Sequence, residues 1–294
     1  MARSSAPIAA PAAAASRTSR VGRIDPRYLV TFLITLILVL GEWQYSILGG
    51  YERLATALGA CMLTEAVFSR WLRGRFVALT SAYVSGISLS LLTKPQANIL
   101  WPFALGGFLA ISSKYVLRYR DNHLWNPTNF AISAMVLLAP AQVAILSHQW
   151  GNDLATNAVI WFFGLLIASR ARVLHVTLAY LAAFFPLALL RSAIVGGPLM
   201  AEIAPITGPM YQLFIFFMIT DPRTTVSSRR GRILVAVLVA VVEAVIRLGG
   251  DYQVGLLAPF YVSPPIYALF LVGPVAMFID LRRRPAAVPA PSAA

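Results

Sequence analysis

A chain of 294 residues that is 59% apolar and only 12% charged, with a mean hydropathy of +0.73, has far more apolar surface than a soluble core of that length needs. Its net charge of +13 comes from Lys and Arg set between apolar runs, which points to membrane topology and anionic lipid as partners rather than nucleic acid. The single cysteine, Cys61, excludes an internal disulfide and a Cys-based zinc or iron–sulfur site; within its apolar run it reads as a small buried hydrophobe.

Residues 1–26 are rich in Ala, Pro, Ser and Arg and are expected to form a disordered cytoplasmic tail, with 282–294 as its counterpart at the other end. The first long apolar run begins only near Tyr28, too far from the start for a signal peptide. From there the sequence predicts ten apolar runs, at 28–48, 53–69, 76–93, 99–117, 128–147, 155–169, 173–190, 208–220, 233–248 and 263–280. Backbone polar groups in hydrocarbon must be paired within their own element, and the runs lack the alternation of a barrel strand, so helices are expected. The prediction is an all-α, polytopic membrane protein of about ten transmembrane helices over 27–281, with no room for a separate soluble catalytic domain. Pro- and Gly-rich stretches before the eighth and tenth runs suggest re-entrant or broken segments.

The positive-inside rule tests that count. With the N-terminus inside, 20 of the 24 Lys and Arg residues fall on cytoplasmic segments, and only Arg53, Lys94, Arg191 and Arg247 fall outside. Both termini are therefore expected on the cytoplasmic side of an inner membrane. Splitting the chain into halves of about 27–150 and 151–281 suggests an inverted five-plus-five repeat. Asn126-Pro127-Thr128 and Asp221-Pro222-Arg223 are then read as corresponding places, each in a basic, Pro-bearing loop after the fourth helix of its half.

Those two places also hold the candidate site. Asn126 before Pro127 suits a helix N-cap, which leaves Thr128 and Asn129 near free backbone N–H groups able to bind an anion or a cofactor edge. Thr220 and Asp221 form the second group, with Asp221 read as another N-cap, placed to pair with Arg223 or with a ligand. Among intramembrane acids, Glu243 is four residues before Arg247 and can pair with it on one helix face. Glu65 is expected to snorkel from a cytoplasmic helix end, and Glu42 borders Trp43 and Tyr45 in an interfacial aromatic belt. No metal site is expected from His123, His148 and His175, and no nucleotide or hydrolase motif occurs, so catalysis by this chain alone is not expected.

The block His123-Leu124-Trp125-Asn126-Pro127-Thr128-Asn129-Phe130 and the block Phe217-Met218-Ile219-Thr220-Asp221-Pro222 resemble motifs of a membrane-subunit family. That family includes the D subunit of the Rnf electron-transport complex and the B subunit of the sodium-pumping NADH:quinone oxidoreductase. The resemblance extends over roughly 75–281 and implies ten helices in two inverted halves, a flavin and redox partner subunits. The family's covalent flavin sits on a Thr in a Ser-Gly-Ala-Thr type of motif, where this chain has Asp153-Leu154-Ala155-Thr156. Covalent FMN at Thr156 is therefore not expected, and any flavin would be held non-covalently. The expected function is a membrane subunit of a redox-coupled electron-transfer or ion-transport system. The alternatives are a small-solute channel or carrier, and an accessory membrane protein of an enediyne-type biosynthetic gene cluster, whose shortened members the chain also resembles.

Overall fold

The computed structural model describes residues 26–284, so the tails expected at 1–25 and 285–294 lie outside the described residues. All ten predicted runs contain helix. They are α1 (Pro26–Tyr45), α2 (Tyr51–Arg73), α3 (Thr80–Leu92), α4 (Trp101–Val116), α5 (Pro127–Leu138), α6 (Leu154–Arg170) and α7 (Leu174–Val195), followed by the short α8 (Leu199–Ile203) and a 3-10 turn, Ala204–Thr207. Next come α9 (Pro209–Leu213), which runs on into a π-helical turn at Phe214–Met218, then α10 (Arg229–Asp251), a 3-10 stretch at Gly255–Phe260, and α11 (Pro264–Arg283). Local sequence sets several ends. Gly74 (φ 68°) and Gly196 (φ 77°) close α2 and α7 in the left-handed region, and Asp153 caps α6 by accepting from the Thr156 N–H.

The expectation of ten spanning helices needs correction. Among the described residues, four helices are long and apolar enough to cross a membrane: α1 over Tyr28–Tyr45, α7, α10 and α11. The other apolar helices are shorter, at 10–17 residues, and α2 is long but carries Glu52, Arg53, Glu65, Arg70 and Arg73. Helices α3 and α5 are short because the chain leaves each of them extended. The strand β1 (Thr93–Pro95) after α3 pairs antiparallel with β4 (Val143–Ile145) after α5, with Thr93 opposite Ile145. A second ladder joins β2 (Arg118–Tyr119) to β3 (Asn122–His123). The all-α prediction therefore holds for the bulk of the chain and misses two small ladders that pair non-helical backbone. At the other end, α11 runs through Arg283, past the predicted start of the tail at 282.

Packing follows the same order in the two halves. Helix α2 lies on α4 as α7 lies on α10, and α4 lies on α5 as α10 lies on α11; across the halves α1 meets α6 and α5 meets α11. Small residues allow the close approaches: a Cβ on Gly107 would stand 2.7 Å from the Ala60 methyl, and Gly164 leaves room for the ring of Phe216. Loop contacts sort into two sets. Tyr45 bonds Asp153 at 2.9 Å, Arg53 bonds Asn98 at 2.8 Å and Trp150 N–H bonds the Thr207 carbonyl at 3.0 Å, so the connections after α1, α3, α5 and α7 gather together. Arg120 bonds the Leu281 carbonyl at 2.8 Å and Ser227 N–H bonds Asp280 at 3.1 Å, gathering the connections after α4 and α9 with the end of α11.

Large apolar side chains face outward as well as into the core, and several charged or amide side chains are buried. Leu63, Val67, Trp71, Phe162, Leu190 and Leu234 are exposed, while Glu65, Lys114, Gln212 and Glu243 are buried. Glu65 does not snorkel. Its carboxylate accepts from Lys114 Nζ at 3.1 Å and from the Tyr115 hydroxyl at 2.7 Å, with Ser81 as a further partner of Lys114, because the α2–α4 contact closes over both charges. Removing one partner of such a pair leaves an uncompensated buried charge. Glu65→Gln is expected to destabilise the detergent-solubilised protein by about 3–5 kcal/mol, and adding Lys114→Met to restore most of that, as read by thermal unfolding.

Candidate functional site

The two sequence blocks meet in space. Asn126 (φ −63°, ψ 127°) caps α5, its side-chain oxygen accepting from the Asn129 N–H at 3.1 Å, and its Nδ2 donates to Asp221 Oδ2 at 3.3 Å. The Asp221 carboxylate also accepts from the Arg223 backbone N–H and from the Thr224 hydroxyl, each at 3.0 Å. Asn129 Nδ2 crosses to the Ile266 carbonyl at 2.8 Å, and Thr220 donates to the Phe216 carbonyl at 2.7 Å, while Thr128 is buried beside them. This junction is recessed. Trp125 donates to the Phe270 carbonyl and Arg120 to that of Leu281, which puts α5's start about 16 Å nearer the beginning of α11 than the β2–β3 hairpin.

Two expectations about this junction are corrected. Asp221 does not cap a helix, because α10 starts at Arg229 and its cap is Ser228, which accepts from the Gly231 N–H at 3.0 Å; Asp221 instead closes a tight turn on Arg223 and Thr224. Asn126 and Asp221 touch each other, and the loop after Thr220 follows the third predicted run of residues 151–281 (155–169, 173–190 and 208–220), not the fourth as expected. Asn126-Pro127 and Ser263-Pro264 are matching helix starts, each an N-cap residue followed by proline.

No family model matches this chain, and no curated protein matches it either.

A second polar cluster lies toward the other set of loops. Glu243 of α10, 1% exposed, accepts from the Tyr180 hydroxyl at 2.5 Å, from the Tyr211 hydroxyl, and from Arg247 Nε at 2.9 Å, while Arg247 Nη2 also reaches the Tyr211 oxygen. The pairing of Glu243 with Arg247 was legible in their spacing, but the two tyrosines were not: α7 and α9 bring them in from 63 and 32 residues away. Nearby, Arg191 holds both oxygens of Asp251 at 2.6 and 2.7 Å and also pairs with Glu202. Above this network opens a cavity of about 330 Å³ whose lining includes Arg191, Arg247, His148, Met210, Ser263 and Pro265.

Tested against a cofactor, the first junction does not fit. Asn126, Asn129, Thr220 and Asp221 direct their polar atoms at one another and at backbone, which leaves no set of donors turned toward a flavin edge. Thr156 likewise stands in the first turn of α6 with its hydroxyl on Asp153 at 2.5 Å. Among the described residues no three His, Cys, Asp or Glu side chains gather as a metal site.

Burial raises the pKa of Asp221, against the opposing pull of the Arg223 N–H and the Thr224 hydroxyl. His123 in β3 is pushed down to about 4, first by burial and then by the charges of Arg118 and Arg223. A histidine held neutral in the folded chain contributes stability above its unfolded pKa and loses it as pH falls through the folded value. Thermal stability is therefore expected to drop between pH 6.5 and about 4, with His123→Gln flattening that slope. Asp221→Ala, which strips the acceptor from three donors, is expected to cost about 1–3 kcal/mol, measured by denaturation in detergent.

Proposed function

We propose that this chain is a multi-pass protein of the cytoplasmic membrane with ten membrane-embedded segments in two inverted five-helix halves and both termini inside. In that setting it works as the membrane subunit of a redox-coupled electron-transfer or ion-transport system. One observation carries the reading: two blocks 95 residues apart, each resembling the same family of redox membrane subunits, are joined directly by the Asn126–Asp221 hydrogen bond. Length arithmetic supports ten embedded segments despite the short helices. The 13 residues of α3 rise about 20 Å and the three of β1 add about 10 Å, together near the about 30 Å of a hydrocarbon core. Short helix followed by paired strand is a route by which non-helical backbone is tolerated at that depth. The inverted halves are supported by the repeated packing order, and the topology by loop contacts that sort as the charges do.

In this reading the redox cofactors belong to partner subunits, and the chain's own share is a buried polar route. Glu243 and its tyrosines supply ionisable and hydroxyl groups inside an apolar bundle, where such groups mark ion pathways. A second reading, a small-solute channel or carrier, is favoured by the cavity at the Arg247 end.

Topology is tested by a cysteine placed at Ser147 after Cys61→Ala. It is expected to react with an impermeant maleimide in intact cells, and labelling only after lysis would reject the arrangement. Function is tested by gentle affinity purification of the full chain. Co-purification of flavin- or iron–sulfur-bearing subunits is expected; a chain that purifies alone and passes a solute across vesicles with no redox input would favour the carrier.

A further inference from the structure

The cavity above Glu243 has hydrogen-bond donors left unengaged while its charged acceptor is fully occupied. Asp251, the one carboxylate lining it, has both oxygens held by Arg191. Arg247 uses Nε and Nη2 on Glu243 and Tyr211, and its Nη1 makes no hydrogen bond among the described residues. Ser263 stands at the N-cap of the 20-residue α11 without performing a side-chain cap, and its hydroxyl, in a residue only 2% exposed, has no partner among the described residues. His148 Nε2, on the facing loop, is likewise unpartnered. The two residues after Ser263 are prolines and carry no N–H, so the positive end of α11's dipole opens on this space with few donors of its own. The rest of the lining mixes the apolar Leu146, Met210, Val262 and Pro265 with Ser147 and Gln149.

A guanidinium nitrogen, a buried hydroxyl and a helix N-terminus among the residues lining one cavity favour negative charge, and the apolar side chains in the same lining favour a short hydrocarbon body. We propose that this cavity binds a small organic carboxylate, its oxygens on Arg247 Nη1 and Ser263 Oγ and its carbon chain against Met210 and Pro265. Bound there, the anion shares Arg247 with Glu243. Occupancy of the site therefore sets how strongly Glu243 is held in the network beneath, which links a solute at one end of the bundle to the buried acid.

Binding is read on the full chain purified in detergent, so it stands or falls independently of membrane orientation and of redox partners. Butyrate is titrated against the thermal midpoint and by calorimetry, with butyramide as the uncharged isostere and chloride at equal ionic strength. Saturable stabilisation by butyrate, absent with butyramide and chloride, is expected. Ser263→Ala removes one hydrogen bond to a charged group and is expected to weaken binding about tenfold without harming the fold, because its hydroxyl has no protein partner. Ser263→Asp, which places a carboxylate where the ligand's would sit, is expected to abolish binding, as is Arg247→Ala if that variant stays monodisperse. Equal stabilisation by butyrate and butyramide, a response no greater than chloride's, or unchanged affinity in both Ser263 variants would overturn the site.

Discussion

The side-chain amide of Asn129 donating to the Ile266 carbonyl ties the first turn of α5 to the first turn of α11, and the rest of the architecture is arranged around that joint. Each of these helices begins with an N-cap residue followed by proline, and they run in opposite directions from their meeting point. Two helix starts brought face to face inside an apolar bundle expose backbone donors and carbonyls that water would otherwise satisfy. Asn126 answers for α5 by capping, and the Asn126 amide in turn fixes Asp221, so the chain leaving the π-helical turn is held against the same joint. At α11 the corresponding hydroxyl, Ser263, is left without a partner and lines the cavity. The two helix starts thus differ: Asn126 caps its own helix, and Ser263 leaves its hydroxyl unpartnered beside the cavity.

That contrast explains why the chain buries charge where a soluble fold would bury leucine. Glu65 with Lys114 and Glu243 with Arg247 each lie between helices whose outer faces carry Leu63, Trp71, Leu234 and Val245. When the exterior is apolar, hydrophobic burial no longer distinguishes one helix arrangement from another, and interhelical hydrogen bonds and close small-residue contacts take over that role. Gly107 against Ala60 and Gly164 against Phe216 supply the close contact, and the ion pairs supply the register.

Much of the element map was legible in the sequence because apolar runs and their caps are local signals. All ten runs contain a helix, the Asn126-Pro127 start is where the sequence placed it, and the spacing of Glu243 and Arg247 gave their pairing. What was not legible is what depends on distant chain. The apolar run at 128–147 reads as one helix, yet the helix stops at Leu138, because Val143–Ile145 finds a strand partner at Thr93–Pro95. Glu65 looked free to snorkel because nothing nearby in sequence revealed Lys114 arriving 49 residues later on the packed face of α4. Asp221 looked like a helix cap by residue type, but Ser228 takes that place seven residues on, and the carboxylate goes to Asn126.

The same reasoning separates the two candidate sites by what each can do. At the Asn126–Asp221 junction the Asn126 amide and the Asp221 carboxylate are already bonded within the chain, which positions α5 against the turn after α9. At the Arg247 end, one guanidinium nitrogen and the buried Ser263 hydroxyl remain unengaged in residues that line a cavity, beside a carboxylate that two tyrosines and the same arginine hold in place. Ser263 and Tyr267 follow one another at i,i+4 on α11, as Asn129 and Ser133 do on α5, so polar side chains continue along both helices on either side of the joint. A buried acid is costly in an apolar bundle unless its partners are held in fixed positions. Here those partners come from α7, α9 and α10 together, so any ligand that draws on Arg247 acts on three helices of the second half at once.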